Sequence, residues 1–167
     1  GYPDARFMKL IAELKPDQVT LVPDPPEVLT SNTGWDTVKN KDFLSEIIQE
    51  LRLSGARISV FCNPEISMVE GAAQIEANRI ELYTGPYAQD FVQNPAQALR
   101  SFVEAADVAK KIGLGVNAGH DLDLQNLKYL KKGIPYLAEV SIGHALFCDA
   151  LYYGIENTIQ MYKRQLQ

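Results

Sequence analysis

The chain contains two histidines, and each one ends a run of apolar and small residues. His120 follows the letters VNAG, and His144 follows SIG. Imidazole titrates at about pH 6.5, so a histidine at the end of a strand can give or take a proton at neutral pH. Gly143 and His144 also lead directly into a predicted helix, whose first backbone N–H groups can hold an anion. Together these features predict a phosphorylated substrate.

A third candidate group, Glu81, lies in the middle of the run RIELYT. A carboxylate inside a fold is costly unless it is paired. Two interpretations are open: a structural ion pair with Arg57 or Arg79, or a charge that stabilises a cationic or electron-poor intermediate. Two histidines and a glutamate could also hold zinc, but their spacing matches no known zinc pattern, and we expect no metal.

Thr30 belongs to the polar segment 24–40, which is longer than the usual connection between a strand and a helix. Such a segment can be a lid over an active site or a plain surface loop. The sequence does not decide between these two interpretations.

Five short runs rich in β-branched and aromatic residues predict strands that would position these groups. The predicted strands are 18–23, 57–62, 79–84, 115–118 and 139–143. Helical patterns are predicted over 4–14, 41–54, 64–78, 95–112, 124–132 and 145–165. Because strands and helices alternate strictly, we expect a parallel sheet.

Polar and apolar residues alternate within these strands, as in Arg79-Ile80-Glu81-Leu82-Tyr83. A period of two gives the sheet one polar face. An open sheet covered by helices on both faces would need apolar runs instead, whereas a barrel carries helices only outside. We therefore predict an α/β fold of the (β/α)8 TIM-barrel type, with five of the eight βα units in this chain. An antiparallel sheet with one solvated face is the alternative.

The composition is that of an ordinary globular domain, with 46% hydrophobic and 22% charged residues in a chain of 167. The net charge of −5 argues against nucleic acid and against anionic membranes as partners. No apolar run reaches the roughly 18 residues of a membrane span. The two cysteines are expected to be reduced thiols of a cytoplasmic protein. The chain begins with Gly1 and not with Met, and we expect the first three βα units of a single barrel domain to precede residues 1–167.

Four segments together resemble one enzyme family. They are VTLVP with EVLTSNTGWD within 19–36, IELYTGPYA at 80–88, GVNAGHDL at 115–122 and VSIGHA at 140–145. They are similar to the LVP and E-VTTEGG-D stretch, the IE-HTG-YA motif, the VNAGHGL or VNAGHDL motif and the NIGHA motif of the pyridoxine 5′-phosphate synthases. Their order and spacing agree over essentially the whole chain.

This resemblance implies a (β/α)8 barrel, assembled as a homo-octamer of dimers, that needs neither a metal nor an organic cofactor. The implied reaction condenses 1-deoxy-D-xylulose 5-phosphate with 3-amino-2-oxopropyl phosphate to pyridoxine 5′-phosphate, phosphate and water. By matching motif, His120 would be the proton donor and Glu81 would stabilise charge. Thr30 would contact the deoxyxylulose phosphate. The backbone around Gly143 and His144 would hold the phosphate of the amino ketone, and Asp121 would also contact that substrate.

The sequence departs from the family pattern in three ways. Asp121 stands where glycine is common, and Tyr83 replaces a frequent histidine. The NIDH, H-REDRRH and NLE motifs of the family's N-terminal third do not occur in these residues, so the chain alone is expected to lack part of the active site. Two alternatives are another phosphosugar enzyme, such as an epimerase or aldolase, and an inactive phosphate-binding part of a barrel. A Schiff-base aldolase would need a lysine within a strand, and the predicted strands contain none.

Overall fold

The computed structural model describes residues 1–25 and 27–167, and within them every predicted strand and helix is present. The strands are β1 (Gln18–Leu21), β2 (Arg57–Cys62), β3 (Arg79–Tyr83), β4 (Gly115–Gly119) and β5 (Glu139–Ser141). The helices are α1 (Ala5–Leu14), α2 (Lys41–Arg52), α3 (Ile66–Gln74), α4 (Gly85–Phe91), α5 (Pro95–Lys111), α6 (Leu127–Gly133), α7 (His144–Tyr153) and α8 (Ile155–Gln165). No helix in this described part is both long and apolar enough to cross a bilayer.

All five strands are parallel and lie in chain order, β1-β2-β3-β4-β5. The sheet is strongly curled. Gln18 on the first strand donates from Nε2 to Oε2 of Glu139 on the fifth strand, at 2.9 Å. With about 4.8 Å between neighbouring strands, a flat sheet would hold these two strands roughly 19 Å apart. The sheet is therefore a half-barrel, and the predicted α/β fold with a parallel sheet is confirmed.

Apolar strand residues face outward and pack against the helices to form the core. Examples are Ile58, Ile80 and Leu82, which are fully buried together with Leu44 of α2 and Phe102 of α5. α5 begins cleanly because the Asn94 side chain accepts from Gln97 N–H and Pro95 occupies the first helical position. The period-two pattern has thus given the sheet one apolar outer face, and the helices pack against that face.

The inner face carries a paired polar cluster at the N-terminal ends of the strands. Arg57 donates to Glu139 at 2.6 Å and to Gln18 at 2.8 Å. Arg79 donates to Asn117 at 3.1 Å, and Asn117 in turn donates to Glu139 at 3.2 Å. The side chains that alternation predicted to be inside therefore satisfy one another there.

Two local features differ from the sequence prediction. α4 is an additional helix, with Pro86 in its first turn, in a stretch where no helix was predicted. The last predicted helix is two helices, because Gly154 has φ of +78°, which ends α7 before α8 begins.

Candidate active site

One cavity of about 620 Å³ opens at the C-terminal ends of the strands, and it gathers all six predicted site residues. They are Thr30, Glu81, His120, Asp121, Gly143 and His144. These residues come from four separate segments that the curled sheet brings to one end. Phe61, Ser31 and Ser141 also line the cavity.

Glu81 lies on the inner face of β3, with 7% of its surface exposed. Burial raises the pKa of its carboxyl, while hydrogen bonds from Ser141 and Thr20 oppose that rise. The Thr20 hydroxyl donates at 3.2 Å. Among the described residues Glu81 forms no ion pair, because Arg57 and Arg79 lie by Glu139 instead, at 2.6 and 4.0 Å. The interpretation of Glu81 as a structural partner of Arg57 or Arg79 is therefore wrong.

Gly119 at the end of β4 explains why the strand ends in small residues. A Cβ atom at Gly119 would lie 2.3 Å from Oε1 of Glu81 and 3.1 Å from Cβ of Ser141. Such distances are far below van der Waals contact. Only glycine lets β4 approach the buried carboxylate this closely.

His120 follows β4 with φ of +92°, a left-handed conformation that is uncommon for a residue with a side chain. The buried hydroxyl of Thr84 holds this turn, since it donates to the carbonyl oxygens of Gly119 (2.7 Å) and of His120. The ring of Tyr83 meets the imidazole edge-on, with centroids 5.0 Å apart. Strained backbone persists only where its surroundings over-determine it, and such positions cluster at active sites.

The imidazole presents one nitrogen to the cavity. Nε2 of His120 lies 2.9 Å from Oγ1 of Thr30. Segment 24–40, apart from Pro26, which lies outside the described residues, therefore reaches the histidine. Its far end is fixed to β2, since Trp35 N–H donates to Phe61 O at 2.8 Å. A lid over the cavity would need a contact such as the one between Thr30 and His120. The lid interpretation stays a prediction.

The start of α7 supplies a different kind of group. Gly143 is the residue before the helix and His144 is its first residue, and both are exposed. The first N–H groups of a helix have no partner within it and carry partial positive charge. A Cβ at Gly143 would meet no atom within 4 Å, so space is open in front of them. This is a place for an anionic group such as phosphate.

No group of three or more His, Cys, Asp or Glu side chains in residues 1–25 and 27–167 is arranged to hold a metal ion. In particular, Glu81, His120 and His144 line the same cavity without forming such a group.

Several supporting residues were not singled out from the sequence. Thr20 and Ser141 hydrogen-bond Glu81, and a signal for them existed, because both alternate onto the same polar face as the glutamate. Thr84 had no such signal. It lies just beyond β3, and its role depends on the neighbouring strand end at Gly119.

The fold is a curled parallel sheet with helices outside. The cavity at the C-terminal end of the sheet holds a carboxylate, an imidazole and a helix N-terminus. Together these features define a barrel-type α/β enzyme for phosphorylated ligands. Comparison with known proteins then identifies the family. The model of the "Pyridoxal phosphate biosynthesis protein PdxJ" family matches residues 1–167. The chain belongs to this family, which confirms the resemblance found in its motifs and gives it a role in pyridoxal phosphate biosynthesis.

Curated relatives agree with this assignment. The chain is 59% identical to pyridoxine 5′-phosphate synthase of Cytophaga hutchinsonii over 167 residues, which is all of this chain and 70% of that protein. It is 55% identical to the Bacteroides fragilis (strain YCH46) synthase and 50% identical to that of Christiangramia forsetii, with the same coverage. The chain thus spans about 70% of the length of these relatives.

A solved structure shows a similar fold. It is a chain in the crystal structure of the Amycolatopsis orientalis BexX/CysO complex, with a TM-score of 0.59 over 98% of this chain and 60% of that one. At 19% identity the likeness concerns the fold alone.

Proposed function

We propose that this chain carries the strand-end half of a pyridoxine 5′-phosphate synthase active site. The reaction condenses 1-deoxy-D-xylulose 5-phosphate with 3-amino-2-oxopropyl phosphate and releases phosphate and water. The observation that carries the proposal is that a buried carboxylate, an imidazole and a helix N-terminus line one cavity of about 620 Å³. The names of the relatives give the product, pyridoxine 5′-phosphate, the motif resemblance implies the two substrates, and the cavity supplies groups suited to the reaction.

His120 is the proposed proton donor. Its Nε2 is the nitrogen next to Thr30 and the cavity, so a proton on that atom lies within reach of a substrate placed there. Such a positioned acid typically contributes about 10²–10⁴-fold to a rate.

Glu81 is the proposed group that stabilises positive charge. The substrate carries an amine, and ring closure passes through electron-poor nitrogen species. A carboxylate that is buried and held only by hydroxyl donors keeps its negative charge unneutralised by any arginine or lysine among the described residues. Such a fixed charge acts strongly on a cationic species beside it, because little water screens it.

The remaining roles concern substrate binding. The N–H groups at Gly143 and His144 are the proposed seat of the amino ketone phosphate. Asp121 lines the same cavity and is proposed to contact that substrate through its backbone, and Thr30, which also lines the cavity, is the proposed contact to the deoxyxylulose phosphate.

The complete protein is proposed to be a single closed (β/α)8 barrel that includes three further βα units, assembled as a cytoplasmic homo-octamer. The side of β1 that faces away from β2 can pair with a further strand. Gly1 already bonds there as a strand residue would, since its N–H donates to Thr20 O at 2.7 Å and its carbonyl oxygen accepts from Val22 N–H at 3.0 Å. An intact mass of the purified protein, together with light scattering, tests both points. A mass equal to that of residues 1–167 or a monomer in solution would contradict them.

The decisive experiment is His120→Asn in the protein expressed from its complete gene. Turnover of the two substrates should fall by about 10²–10⁴-fold, because proton transfer is lost while the shape of the side chain is largely kept. Binding of each substrate should be spared. Gln89→Asn on the exposed surface of α4 is the control. Unchanged turnover in His120→Asn would remove His120 from the mechanism, and phosphate binding without product in the unaltered protein would favour the inactive phosphate-binding alternative.

A further inference from the structure

Asp121, the neighbour of His120, lies against the nitrogen of the imidazole that faces away from Thr30. Its Oδ2 is 3.0 Å from Nδ1 of His120. Nδ1 is buried and has no hydrogen-bond partner among the described residues. The carboxylate oxygen is thus within reach of the nitrogen but out of line with its N–H bond, so the contact is one of charge. Catalytic hydrogen bonds commonly have this loose form before substrate binds and align in the reacting complex.

The two imidazole nitrogens therefore have different surroundings. Nε2 faces the Thr30 hydroxyl at 2.9 Å and the cavity. Nδ1 lies beside a carboxylate, which can accept a hydrogen bond but never supply one while it is ionised. The arrangement favours a proton on Nδ1 and leaves Nε2 as the nitrogen that exchanges protons with a substrate in the cavity.

The backbone holds Asp121 in this place at some cost. Its φ is +55°, in the left-handed region that asparagine and aspartate tolerate better than other residues with side chains. The Nδ2 group of Asn126, a residue with 4% of its surface exposed, donates to the Asp121 carbonyl at 3.1 Å. Asn126 is itself fixed, since its backbone and side chain exchange hydrogen bonds with Asp123 at 3.0 Å. The carboxylate consequently projects from a rigid turn.

We propose that Asp121 is a positioning residue for His120, a role that rests on the proposed function. Its carboxylate retains the proton on Nδ1 and fixes the ring, so that the proton given to substrate always leaves from Nε2. In that step the Nε2–H bond of the imidazolium breaks, a bond from the proton to a substrate atom forms, and the electron pair stays on Nε2. Asp121 remains ionised throughout, and the histidine ends as the neutral Nδ1–H form.

The test uses Asp121→Asn and Asp121→Gly in the protein expressed from its complete gene. Both remove the charge, and both suit the left-handed backbone at this position, glycine most of all. Side-chain ¹⁵N NMR reports which imidazole nitrogen carries the proton in the neutral ring. The described sequence contains two histidines, and the signals lost in His120→Asn assign those of His120. Asp121→Glu, which keeps the charge, is the conservative variant.

In both charge-free variants we expect the Nδ1–H population of His120 to fall and kcat to drop by about 10–100-fold, the loss that is typical when the partner of a metal-binding imidazole is removed. KM should change little, and Asp121→Glu should restore part of kcat. An unchanged tautomer ratio, or an unchanged kcat in both charge-free variants, would overturn the proposal. The proposed function fails separately, if His120→Asn turns over normally, and the positioning role for the reaction would then fall with it.

Discussion

Replacing Gly119 by alanine should damage catalysis far more than folding. The added Cβ would lie 2.3 Å from Oε1 of Glu81. Real Cβ atoms keep at least 3.0 Å from such an atom, and ordinary contact begins at 3.4 Å. The carboxylate must therefore retreat by about 0.7–1.1 Å. It can do so because Oε1 is the end of a flexible side chain. The Cβ atom and the carbonyl oxygen of Ser141, at 3.1 and 3.3 Å, need to give by only a few tenths of an ångström.

A displacement of about 1 Å at a reacting centre costs roughly 10²-fold in rate, which corresponds to about 2.7 kcal/mol of transition-state stabilisation. We expect Gly119→Ala to lose that much in kcat. The hydrogen bond from Thr20, now 3.2 Å, should break or rearrange at the same time. The free energy of unfolding should change by much less, since β5 shifts by only a few tenths of an ångström at Ser141 and the apolar core is left in place.

Gly115→Ala is the matched control, because it is the same substitution on the same strand. Its Cβ would lie 2.8 Å from Cγ of Arg79, again a flexible charged side chain of β3, but at the opposite end of the strand from the cavity. The assay is product formation from both substrates under saturating conditions, with thermal unfolding measured in parallel. Equal kcat in the two variants would refute the claim that the position of Glu81 matters to the reaction.

Two further predictions concern protonation. Because burial raises the pKa of Glu81, the carboxyl ionises at lower pH in the unfolded chain than in the folded protein. The contribution of Glu81 to stability therefore falls as the pH rises above the ordinary pKa of 4.5, and it stays low above the pKa in the folded protein. The melting temperature of Glu81→Gln, followed by circular dichroism, should therefore rise relative to that of the unaltered protein as the pH increases from 4 to 8. A constant difference between the two melting temperatures over this range would contradict the prediction. Burial also raises the pKa of Cys62 to about 12, whereas Cys148 is exposed, so iodoacetamide should label Cys148 alone in the native protein. Mass spectrometry showing early label on Cys62 would contradict the structure.

Side-chain contacts that depend on the curl of the sheet could not be predicted from the sequence. Alternation within single strands correctly put Gln18, Arg57, Arg79 and Glu139 on the inner face. It could not show that Gln18 and Arg57 would meet Glu139, because that contact joins the first and fifth strands and exists only once the sheet bends. For the same reason the choice between an ion-paired and an unpaired Glu81 stayed open until the strands were placed.

Backbone conformation was the second limit. His120 was found by residue type and position, but its φ of +92° is imposed from outside by Thr84 on the neighbouring strand end. Gly154 likewise stands between two helical patterns that are continuous in composition, and only its φ of +78° shows that the chain turns there. Local propensity decides neither case, because the deciding contacts are distant in sequence or depend on how the two helices pack.

The two ends of the inner face show why a curled sheet of this kind can be both stable and reactive. At the N-terminal ends, Glu139 lies between Arg57 and Arg79, so its charge is matched by arginine. At the cavity end, the described side chains that donate to Glu81 are hydroxyls, those of Thr20 and Ser141, and burial raises its pKa. The two environments lie two residues apart, from Arg79 to Glu81 along β3 and from Glu139 to Ser141 along β5. Structural charge is thus neutralised within the fold, whereas the charge at the cavity is left for a ligand to neutralise. A substrate that develops positive charge there would gain stabilisation that the folded protein alone cannot obtain.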